Sequence, residues 1–350
     1  MSLVVLTGAT GFVGREILEL LIDEGHEVLA VVRPGKAAAI IDSFDNIKTL
    51  EVDLSDIECF ETKLTKALNE EKVSAFIYAS GAMNGDDDEH EIQSISPLKT
   101  IIRCAKNTTC KRLIHLSSLS VYGYSALPIG AALDETTPLE SELAYRDAYG
   151  RAKCKQEMLL LGAAQNDGLI ITSLRLGMVY GASRIWSARL GIPFKKWLLI
   201  PNNSAQLPLA HVKTCAAAAV SSSQNNTINN EVFIPEAQDT PGAFEAINVV
   251  DDVLPSVGDY LTVAEKYQLV KPLKKVTLPT KLVQKLIKML SLLQIASPFF
   301  YSKVPNILKL QTFDSRYKTL KFGNYRQKER LNIESTCWKQ MLEKDHLNAK

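Results

Sequence analysis

The fold is decided by Thr7-Gly8-Ala9-Thr10-Gly11-Phe12-Val13-Gly14, which joins an apolar run over residues 3–6 to apolar residues at helical spacing. A continuous apolar run of this kind is typical of a buried parallel strand. The first glycine permits a tight turn, the second lets the backbone approach a pyrophosphate, and the third lets the helix pack closely on the strand. The spacing therefore predicts a dinucleotide site with these contacts: Gly8, Thr10, Gly11, Phe12, Val13 and Gly14.

Strand and helix patterns alternate through the first half of the chain. Apolar runs occupy residues 27–32, 47–52, 74–79, 112–117 and 169–175. Helical periodicity covers residues 57–68, 92–106 and 145–161. This alternation predicts an α/β fold, a Rossmann-type doubly wound parallel sheet. Beyond residue 181 the pieces are shorter and separated by prolines. We therefore expect a dinucleotide-binding domain over 1–180 and a smaller, interleaved C-terminal substrate lobe over 181–350, with some segments returning to the first domain.

Composition excludes several classes of protein. The 350 residues hold 40 Lys and Arg against 39 Asp and Glu, so a net charge of +1 gives no reason to expect a nucleic-acid partner. No apolar run approaches the ~18 residues that span a bilayer, and the first residues lack a basic leader. We therefore expect no transmembrane segment and no secretory signal. The six cysteines show no metal-ligand spacing, which predicts reduced thiols, no metal site and a cytoplasmic location.

The residue after the second predicted strand bears on the choice of cofactor. Arg33 lies 19 residues after Gly14, where a site selective for NAD usually carries an acid for the ribose 2′-hydroxyl. Residues 31–36 contain no acid. Arg33, with Lys36, is therefore expected to bind a 2′-phosphate, which favours NADP over NAD; a solvated basic turn is the alternative. Asp53, after the third strand, either contacts the adenine or is a plain turn residue.

Tyr149 and Lys153 form an i, i+4 pair, which places them on one face of the helix predicted over 145–161. A phenol with a pKa of ~10 is a poor base at neutral pH, and a nearby ammonium lowers that pKa. The pair therefore suits general acid–base work. Three serines, at positions 117, 118 and 120, follow the fifth predicted strand. Since ligands bind at the carboxyl ends of parallel strands, one of these serines is expected to reach the substrate oxygen.

In combination, five segments resemble the extended short-chain dehydrogenase/reductases, which include NAD(P)-dependent epimerases, dehydratases and 3β-hydroxysteroid dehydrogenases. The segments are TGATGFVG at 7–14, Asp53-Leu54, SSLSVYG at 117–123, YGRAK at 149–153 and RLGMVYG at 175–181. The resemblance covers residues 1–235 and implies that Ser118, Tyr149 and Lys153 are catalytic, and that Tyr149 and Lys153 also contact the cofactor. It implies further cofactor contacts from Leu54, Ala79, Ser80, Gly81, Gly177 and Val179.

Two departures from the family's pattern narrow the expected chemistry. Met178 stands where members that bind sugar nucleotides often carry Asn, and Leu119-Ser120 stands where dehydratases carry an Asp-Glu pair. We therefore predict an NADP-dependent oxidoreductase that passes a hydride between nicotinamide and a secondary alcohol or ketone. The alternatives are a sugar-nucleotide epimerase that retains NAD and a non-catalytic nucleotide-sensing protein. The resemblance also implies a small-molecule substrate and a homodimer.

The stretch over residues 280–301 admits three interpretations. It has apolar residues at helical spacing, with Lys281, Lys285 and Lys288 toward the other side. It is an amphipathic helix covering the core of the lobe, a lid over an apolar substrate, or a helix that gives the protein a peripheral membrane contact. Two smaller expectations concern charged segments: the acidic run at 86–91 is predicted to be a solvated loop, and His211 is a candidate substrate contact.

Overall fold

The computed structural model of the chain describes residues 3–36, 47–69, 71–224, 242–270, 273–297, 299, 304–333 and 336–348. Its centre is a seven-stranded sheet in which every pair of neighbours is parallel. The strands are β1 (Leu3–Thr7), β2 (Glu27–Val32), β3 (Ile47–Glu51), β4 (Val73–Tyr78), β5 (Arg112–Ser118), β7 (Ile170–Leu176) and β12 (Ala243–Val249). Their order is β12-β7-β5-β4-β1-β2-β3. The chain moves outward from β1 to β3 and then crosses back to β4, which creates a switch point of the kind where ligands bind in open α/β sheets.

Helices cover both faces of this sheet, as a doubly wound fold requires. In chain order they are α1 (Phe12–Asp23), α2 (Ile57–Leu68), α3 (Asp87–His90), α4 (Ser96–Lys106), α5 (Ala148–Asp167), α6 (Val212–Gln224), α7 (Val257–Lys266), α8 (Thr280–Ala296), α9 (Leu310–Tyr317), α10 (Tyr325–Arg330) and α11 (Trp338–Asn348). A π-helical turn, Glu91–Ile95, joins α3 to α4. Helices α1 and α6 pack on one face of the sheet, and α2, α4 and α5 pack on the other. The predicted fold class is confirmed.

The second half of the chain builds small sheets around a core of its own. Its short strands, with one from the first half, are β6 (Ala132–Leu133), β8 (Met178–Tyr180), β9 (Ile192–Phe194), β10 (Trp197–Ile200), β11 (Leu209–His211), β13 (Lys274–Thr277) and β14 (Lys321–Phe322). They form the sheets β13-β10-β9, β11-β8 and β14-β6. Buried rings of Tyr260 and Trp338, 6.0 Å apart between centroids, lie in the core of this lobe.

β12 returns from the second half of the chain to the central sheet. It pairs with β7 at seven successive positions, from Ala243 opposite Ile170 to Val249 opposite Leu176. Its inward side chains join both hydrophobic layers of the sheet. The central sheet is therefore completed by residues far from the glycine turn in sequence.

Two segments differ from the sequence expectations. The predicted loop at 86–91 is wrong, because Asp86 caps α3 in a capping box with Glu89 and the acidic run starts a helix. The long helix begins at Ala148 rather than at 145, since Asp147 accepts a hydrogen bond from the Gly150 amide and fixes the N-terminus there.

The six cysteines are free thiols. Across the described ranges, no helix combines the length and apolar character needed to cross a bilayer.

Candidate active site

The glycine turn has the geometry that its spacing predicts. Gly8 has φ +76°, and a Cβ there would lie 2.7 Å from the Ala79 carbonyl oxygen. A Cβ on Gly14 would lie only 2.0 Å from the carbonyl oxygen of Gly8, so α1 can pack against the turn only with glycine at that position. α1 begins after Gly11, and no side chain caps its first amides. The helix N-terminus therefore keeps free N–H donors and its positive dipole end beside the turn.

The end of β4 borders this turn. Ala79 and Ser80 are partly buried, and Gly81 is exposed. The Ala79 carbonyl and the Ser80 amide are the atoms that a larger residue at Gly8 would meet. Because β1 and β4 are neighbours in the sheet, the carboxyl end of β4 forms the wall next to the glycine turn. The residues predicted to line the cofactor in this segment therefore lie together with the turn.

The loop after β2 has a neighbour that the local sequence does not reveal. Arg33 is exposed. Glu51 lies opposite Val32 in the β2–β3 register, and its carboxylate accepts a hydrogen bond of 3.3 Å from the Gly35 amide. An acid therefore lies beside the basic turn although residues 31–36 contain none. Whether this turn accepts a 2′-phosphate depends on both the guanidinium and the carboxylate.

Asp53 has the geometry of a turn residue. Its Oδ1 accepts hydrogen bonds from the Ser55 amide, 2.9 Å, and from the Ser55 hydroxyl, 2.8 Å. These bonds, more than the nearby charge of Arg33, lower the pKa of Asp53. Leu54 packs against the sheet layer formed with α2. The other oxygen of Asp53 is available to a ligand, so the turn and the adenine interpretations are compatible.

The two serines that end β5, Ser117 and Ser118, face in opposite directions, because successive residues of a strand alternate between its two sides. Ser117 is buried and its Oγ donates a 2.6 Å hydrogen bond to Glu157. Ser118 is partly buried, its Oγ accepts a hydrogen bond from the Ser120 amide at 3.1 Å, and its hydroxyl lies close enough to Tyr149 to lower the pKa of the phenol. Ser118 is therefore the serine that shares a side of the sheet with the tyrosine.

Tyr149 lies in the first turn of α5, beside Ser118. Burial, and to a smaller extent the charge of Asp147, raise the pKa of Tyr149, while the Ser118 hydroxyl and the charge of Arg184 lower it by less. The sequence suggested that the ammonium of Lys153 lowers this pKa, but the dominant influence here is burial. Of the two groups that act to lower the pKa of Tyr149, the serine is the stronger.

Lys153 lies one turn further along α5 and is buried. Its Nζ donates a 2.7 Å hydrogen bond to the Leu116 carbonyl oxygen in β5. Burial lowers the pKa of Lys153 to about 8, against the opposing effect of the Glu157 charge. The ammonium is therefore held at the end of β5, and it is close to losing its proton at mildly alkaline pH.

A buried ion pair anchors this part of α5 to the sheet. Glu157 and Arg175 are 1% and 5% exposed, and Arg175 Nη2 lies 2.6 Å from Glu157 Oε2. Glu157 also accepts hydrogen bonds from Ser117, 2.6 Å, and Ser173, 3.1 Å. Arg175 donates to the Tyr122 hydroxyl at 2.8 Å. The carboxylate is thus bound by β5 and β7 at once, which fixes the rotation of the helix that carries Tyr149 and Lys153.

His90 was not singled out from the sequence, although it lies against the tyrosine. Its side chain is 2% exposed, and its ring lies 6.2 Å from that of Tyr149, edge to face. Among the described residues neither ring nitrogen has a hydrogen-bond partner. Burial and then the charge of Lys153 lower the pKa of His90, which favours the neutral imidazole. The π-helical turn directly after His90 points to a functional site, since such turns concentrate at functional sites. That turn is visible in the structure and not in the sequence.

Arg184 is the second residue that sequence reasoning missed. It is exposed, and its guanidinium lies 5.1 Å over the ring of Phe12 in the glycine turn. Its charge also acts on Tyr149. Arg184 therefore stands between the predicted phosphate site and the predicted catalytic tyrosine, where a cation suits an anionic group of the cofactor or the substrate.

The segment after β7 closes the site on its other side. A Cβ on Gly177 would lie 2.2 Å from the Pro208 carbonyl oxygen. The starts of β8 and β11 can therefore lie this close together only with glycine at position 177. Val179 is partly buried against the layer that contains α1.

His211 is buried, and its Nε2 lies 3.4 Å from Asp345. It lines a cavity of about 520 Å³ beside Thr10 and Gly11. His211 thus lies next to the glycine turn rather than next to Tyr149.

No group of three or more potential metal ligands occurs in the part of the chain that the structure describes.

Comparison with known proteins identifies relatives of this arrangement. Residues 4–229 match the sequence profile of the NAD dependent epimerase/dehydratase family. The dTDP-6-deoxy-L-talose 4-dehydrogenase (NAD(P)(+)) of Kitasatospora kifunensis is 29% identical over 191 residues, 54% of this chain and 56% of that protein. A 3 beta-hydroxysteroid dehydrogenase/Delta 5→4-isomerase of Mycobacterium tuberculosis is 22% identical over 181 residues, 51% of this chain and 47% of that protein. The matches span about half the length of these curated relatives.

Solved structures resemble the chain over nearly its whole length. The UDP-glucuronic acid 4-epimerase of Bacillus cereus in complex with NAD has a TM-score of 0.67 at 17% identity, covering 99% of this chain and 97% of that one. The UDP-glucose 4-epimerase of Thermotoga maritima with UDP-glucose has a TM-score of 0.68 at 15% identity, covering 99% and 98%. At such identities the likeness shows the fold alone.

Proposed function

The chain belongs to the NAD dependent epimerase/dehydratase family, and from that membership we propose that it is an NADP-dependent oxidoreductase acting on a secondary alcohol or ketone. One observation carries the proposal: the Ser118 hydroxyl lies close enough to Tyr149 to lower the pKa of the phenol, at the carboxyl end of β5, and Lys153 donates a hydrogen bond to the same strand. This pair of hydroxyls is suited to hold a substrate oxygen. The glycine turn lies on the neighbouring part of the same sheet edge.

The residues present fit a dinucleotide. Gly8 and Gly14 let the turn lie against Ala79 and let α1 pack against the turn, and the first amides of α1 have no side-chain cap. We assign the pyrophosphate to these amides, the ribose hydroxyls to Lys153 and the adenine end to the region of Asp53. The nicotinamide, when bound, supplies or accepts the hydride.

The protein's own part of the reaction is the movement of a proton. In the oxidative direction, Tyr149 as phenolate accepts the proton of the substrate hydroxyl while the hydride leaves the carbon; in reduction it returns the proton to the carbonyl oxygen. Ser118 donates a hydrogen bond to that oxygen and orients it. Because burial raises the pKa of Tyr149, formation of the phenolate needs the positive charges around it. Lys153 is the proposed source of that charge once the ribose has joined its contacts.

An apolar substrate is supported by a second cavity. A cavity of about 220 Å³ lies between the loop after β5 and the helices α8 and α9, and its lining includes Leu127, Ile129, Ile287 and Phe313. α9 adjoins the catalytic helix, because Arg316 forms a 3.0 Å ion pair with Asp147 at the start of α5. The lining also includes Lys288, Asp314 and Lys318, so the cavity suits a largely apolar substrate that carries a polar group.

Hydride transfer is tested directly with the purified protein. Nicotinamide absorbance is followed with a panel of apolar secondary alcohols and ketones, and with UDP-sugars as the comparison set. Turnover on the apolar panel with no release of an epimerised sugar supports the proposal. Turnover confined to UDP-sugars overturns it in favour of the epimerase.

Cofactor preference is tested by titrating NADPH and NADH and following nicotinamide fluorescence. We expect tighter binding of NADPH, a loss of at least tenfold (about 1.4 kcal/mol) on Arg33→Ala, and a gain on Glu51→Gln, since the carboxylate beside Gly35 repels a 2′-phosphate. NADH should be little affected by either change. Tighter binding of NADH that is unchanged in Arg33→Ala would contradict the preference for NADP.

The sugar-nucleotide epimerase is the second candidate, and Arg184 favours it. An exposed guanidinium between the glycine turn and Tyr149 is suited to the diphosphate of a sugar nucleotide. The discriminating observation is the nucleotide released when the purified protein is denatured. Bound NAD recovered in stoichiometric amount indicates a retained cofactor and an epimerase; a site that purifies without one and binds added NADPH reversibly indicates the oxidoreductase.

The homodimer and the cytoplasmic location stay predictions. Met158 and Leu161 on α5, 61% and 39% exposed, are apolar residues that the implied pairing of this helix would cover. Light scattering at micromolar concentration measures the first; a monomer mass would contradict it.

A further inference from the structure

Helix α8 turns only part of its apolar surface toward the protein. Ile287 is buried against Phe313 and Tyr317 of α9. Other large apolar side chains of the helix remain in solvent, with exposed fractions of 64% for Leu282, 47% for Leu286, 59% for Met289 and 63% for Leu292. At 3.6 residues per turn, positions 282, 286 and 289 fall on one side of the helix. Isolated apolar residues are ordinary on a protein surface, but four within eleven residues form a patch that marks an interaction site.

The same region carries a strongly biased charge. Residues 266–313 contain no Asp, Glu or Arg, and nine lysines: Lys266, Lys271, Lys274, Lys275, Lys281, Lys285, Lys288, Lys303 and Lys309. In a chain whose net charge is +1, a stretch of this length with nine positive and no negative residues is a concentrated basic segment. On α8, Lys281, Lys285 and Lys288 are exposed beside the apolar patch. Within the described residues, Lys281 and Lys285 have no carboxylate in ion-pair contact.

A second element of the lobe has the same character. The tip of the β9–β10 hairpin reads Phe194-Lys195-Lys196-Trp197, and all four side chains are exposed. Phe194 is 57% and Trp197 36% exposed. Lys274 of the adjoining β13 lies over the Trp197 ring, 5.5 Å from its centroid. Ile192 at the start of β9 packs on the cluster that buries Ile287, so this hairpin and α8 share one apolar cluster.

We propose that α8 and the tip of the β9–β10 hairpin form a docking surface for an anionic membrane. A helix with an exposed apolar face and flanking lysines is the form that lies in the headgroup region with its apolar face inserted. Aromatic residues such as Phe194 and Trp197 suit the same depth, and the lysines are attracted to anionic headgroups. A nucleic acid would use the lysines but would leave the leucines in water. A second copy of this chain would bring the two basic segments into repulsion. This proposal is independent of the reaction that the active site performs.

Vesicle binding tests the proposal with the full chain. The protein is sedimented with phosphatidylcholine vesicles that contain either no anionic lipid or roughly one-third phosphatidylserine, at low and at physiological salt. We expect binding to the anionic vesicles, at least tenfold weaker binding to the neutral ones, and a loss on raising the salt. Binding should also shift the tryptophan emission to the blue as Trp197 leaves water.

Three variants separate the contributions. Leu282→Ser with Leu286→Ser removes the apolar face and should lower vesicle affinity at least tenfold. Lys281→Glu with Lys285→Glu should do the same and weaken the dependence on salt. Leu347→Ser, on α11, is the matched control, since Leu347 is 64% exposed on a helix of mixed charge, and it should leave vesicle affinity unchanged. Thermal unfolding of each variant shows that it is folded, which the exposure of the substituted residues predicts.

Several results would overturn the proposal. One is the absence of binding to anionic vesicles by the folded wild type. Another is vesicle binding that the α8 variants leave unchanged. A third is binding to polyglutamate with none to vesicles, which would assign the surface to an acidic polypeptide instead. A fourth is a dimer of the wild type that the α8 variants convert to monomer, which would assign it to a second copy of the chain.

Discussion

Helices α5 and α8 break the ordinary pattern of a surface helix in opposite directions. α5 buries polar residues against the sheet, among them Lys153, Gln156 and Glu157, whereas α8 leaves large apolar residues in water. In α5 the inward polar groups are bound to β5, β7 and the π-helical turn. In α8, no contact among the described residues covers the outward apolar side chains. The comparison teaches that a side chain on the unexpected face is informative in both senses: inside it indicates a site, and outside it indicates a partner.

Tyr149→Phe should have the largest effect, and it falls on α5. Removal of one hydroxyl leaves the ring and its packing, so cofactor affinity and the midpoint of thermal unfolding should change little. Turnover should fall by about 10²–10⁴-fold, the contribution of a general acid–base group. Tyr325→Phe, the same change at a tyrosine that is 76% exposed, should leave turnover unchanged. Near wild-type turnover in Tyr149→Phe would remove the catalytic assignment and favour a nucleotide-sensing protein.

Glu157→Gln tests whether the buried polar face of α5 is as costly to break as its burial implies. The change leaves the Arg175 guanidinium buried without its carboxylate, which typically costs about 3–5 kcal/mol of unfolding free energy. Glu61→Gln, which breaks the half-exposed Glu61–Arg103 pair, should cost less than about 1 kcal/mol. Denaturant unfolding measures both. Equal costs for the two variants would show that the buried pair does not anchor the helix.

Lys153→Met separates stability from function on the same helix. Burial lowers the pKa of Lys153 from 10.5 to about 8, so between these values the unfolded chain binds more protons than the folded one, and stability rises with pH. Below pH 8 the penalty is present in full, and it amounts to about 3 kcal/mol. We expect Lys153→Met to be inactive yet more stable than the wild type at pH 7. The lost hydrogen bond to Leu116 reduces this advantage in unfolding free energy, and the advantage shrinks toward pH 10. A stability difference that does not vary with pH would contradict the lowered pKa.

The smallest expected effect lies on α8 and compares two neighbouring residues. Leu286→Ala removes an exposed side chain and should change the unfolding free energy by less than about 0.5 kcal/mol. Ile287→Ala removes a side chain that is 1% exposed and should cost about 2–5 kcal/mol. Denaturant unfolding distinguishes the pair. A large cost for Leu286→Ala would mean that its face is covered in the folded protein and would weaken the contrast between α5 and α8.

Much of the central sheet could be predicted because its signals are local. The strands β2 and β3 and the helix α2 follow from apolar runs and periodicity, and the glycine turn follows from the spacing of Gly8, Gly11 and Gly14. The choice of Ser118 among the three serines comes instead from the resemblance of residues 117–123 to the family's pattern. These features need only neighbouring residues to be recognised.

The rest depends on contacts between distant residues. Glu51 reaches the turn at Arg33 only through the register of β2 with β3. His90 meets Tyr149 only through the packing of α3 against α5. The face that α8 exposes is set by where α9 packs, so its apolar stripe in sequence could not separate the buried Ile287 from the exposed Leu286. Periodicity shows that a helix has an apolar side; it does not show what covers that side.

The position of β12 in the sequence also determines when the central sheet can be completed during synthesis. The chain leaves the sheet at Leu176 and comes back only at Ala243, so during synthesis β7 is an open strand edge until that segment emerges from the ribosome. Even then β12 awaits α10, whose Arg326 and Arg330 bind the Ala246 carbonyl and the Glu245 carboxylate. The last support of this part of the sheet therefore comes from residues near 330, well after β7 in the sequence. A nascent chain of this protein must therefore stay unaggregated with β7 as an exposed strand edge at least while residues 177–242 are translated.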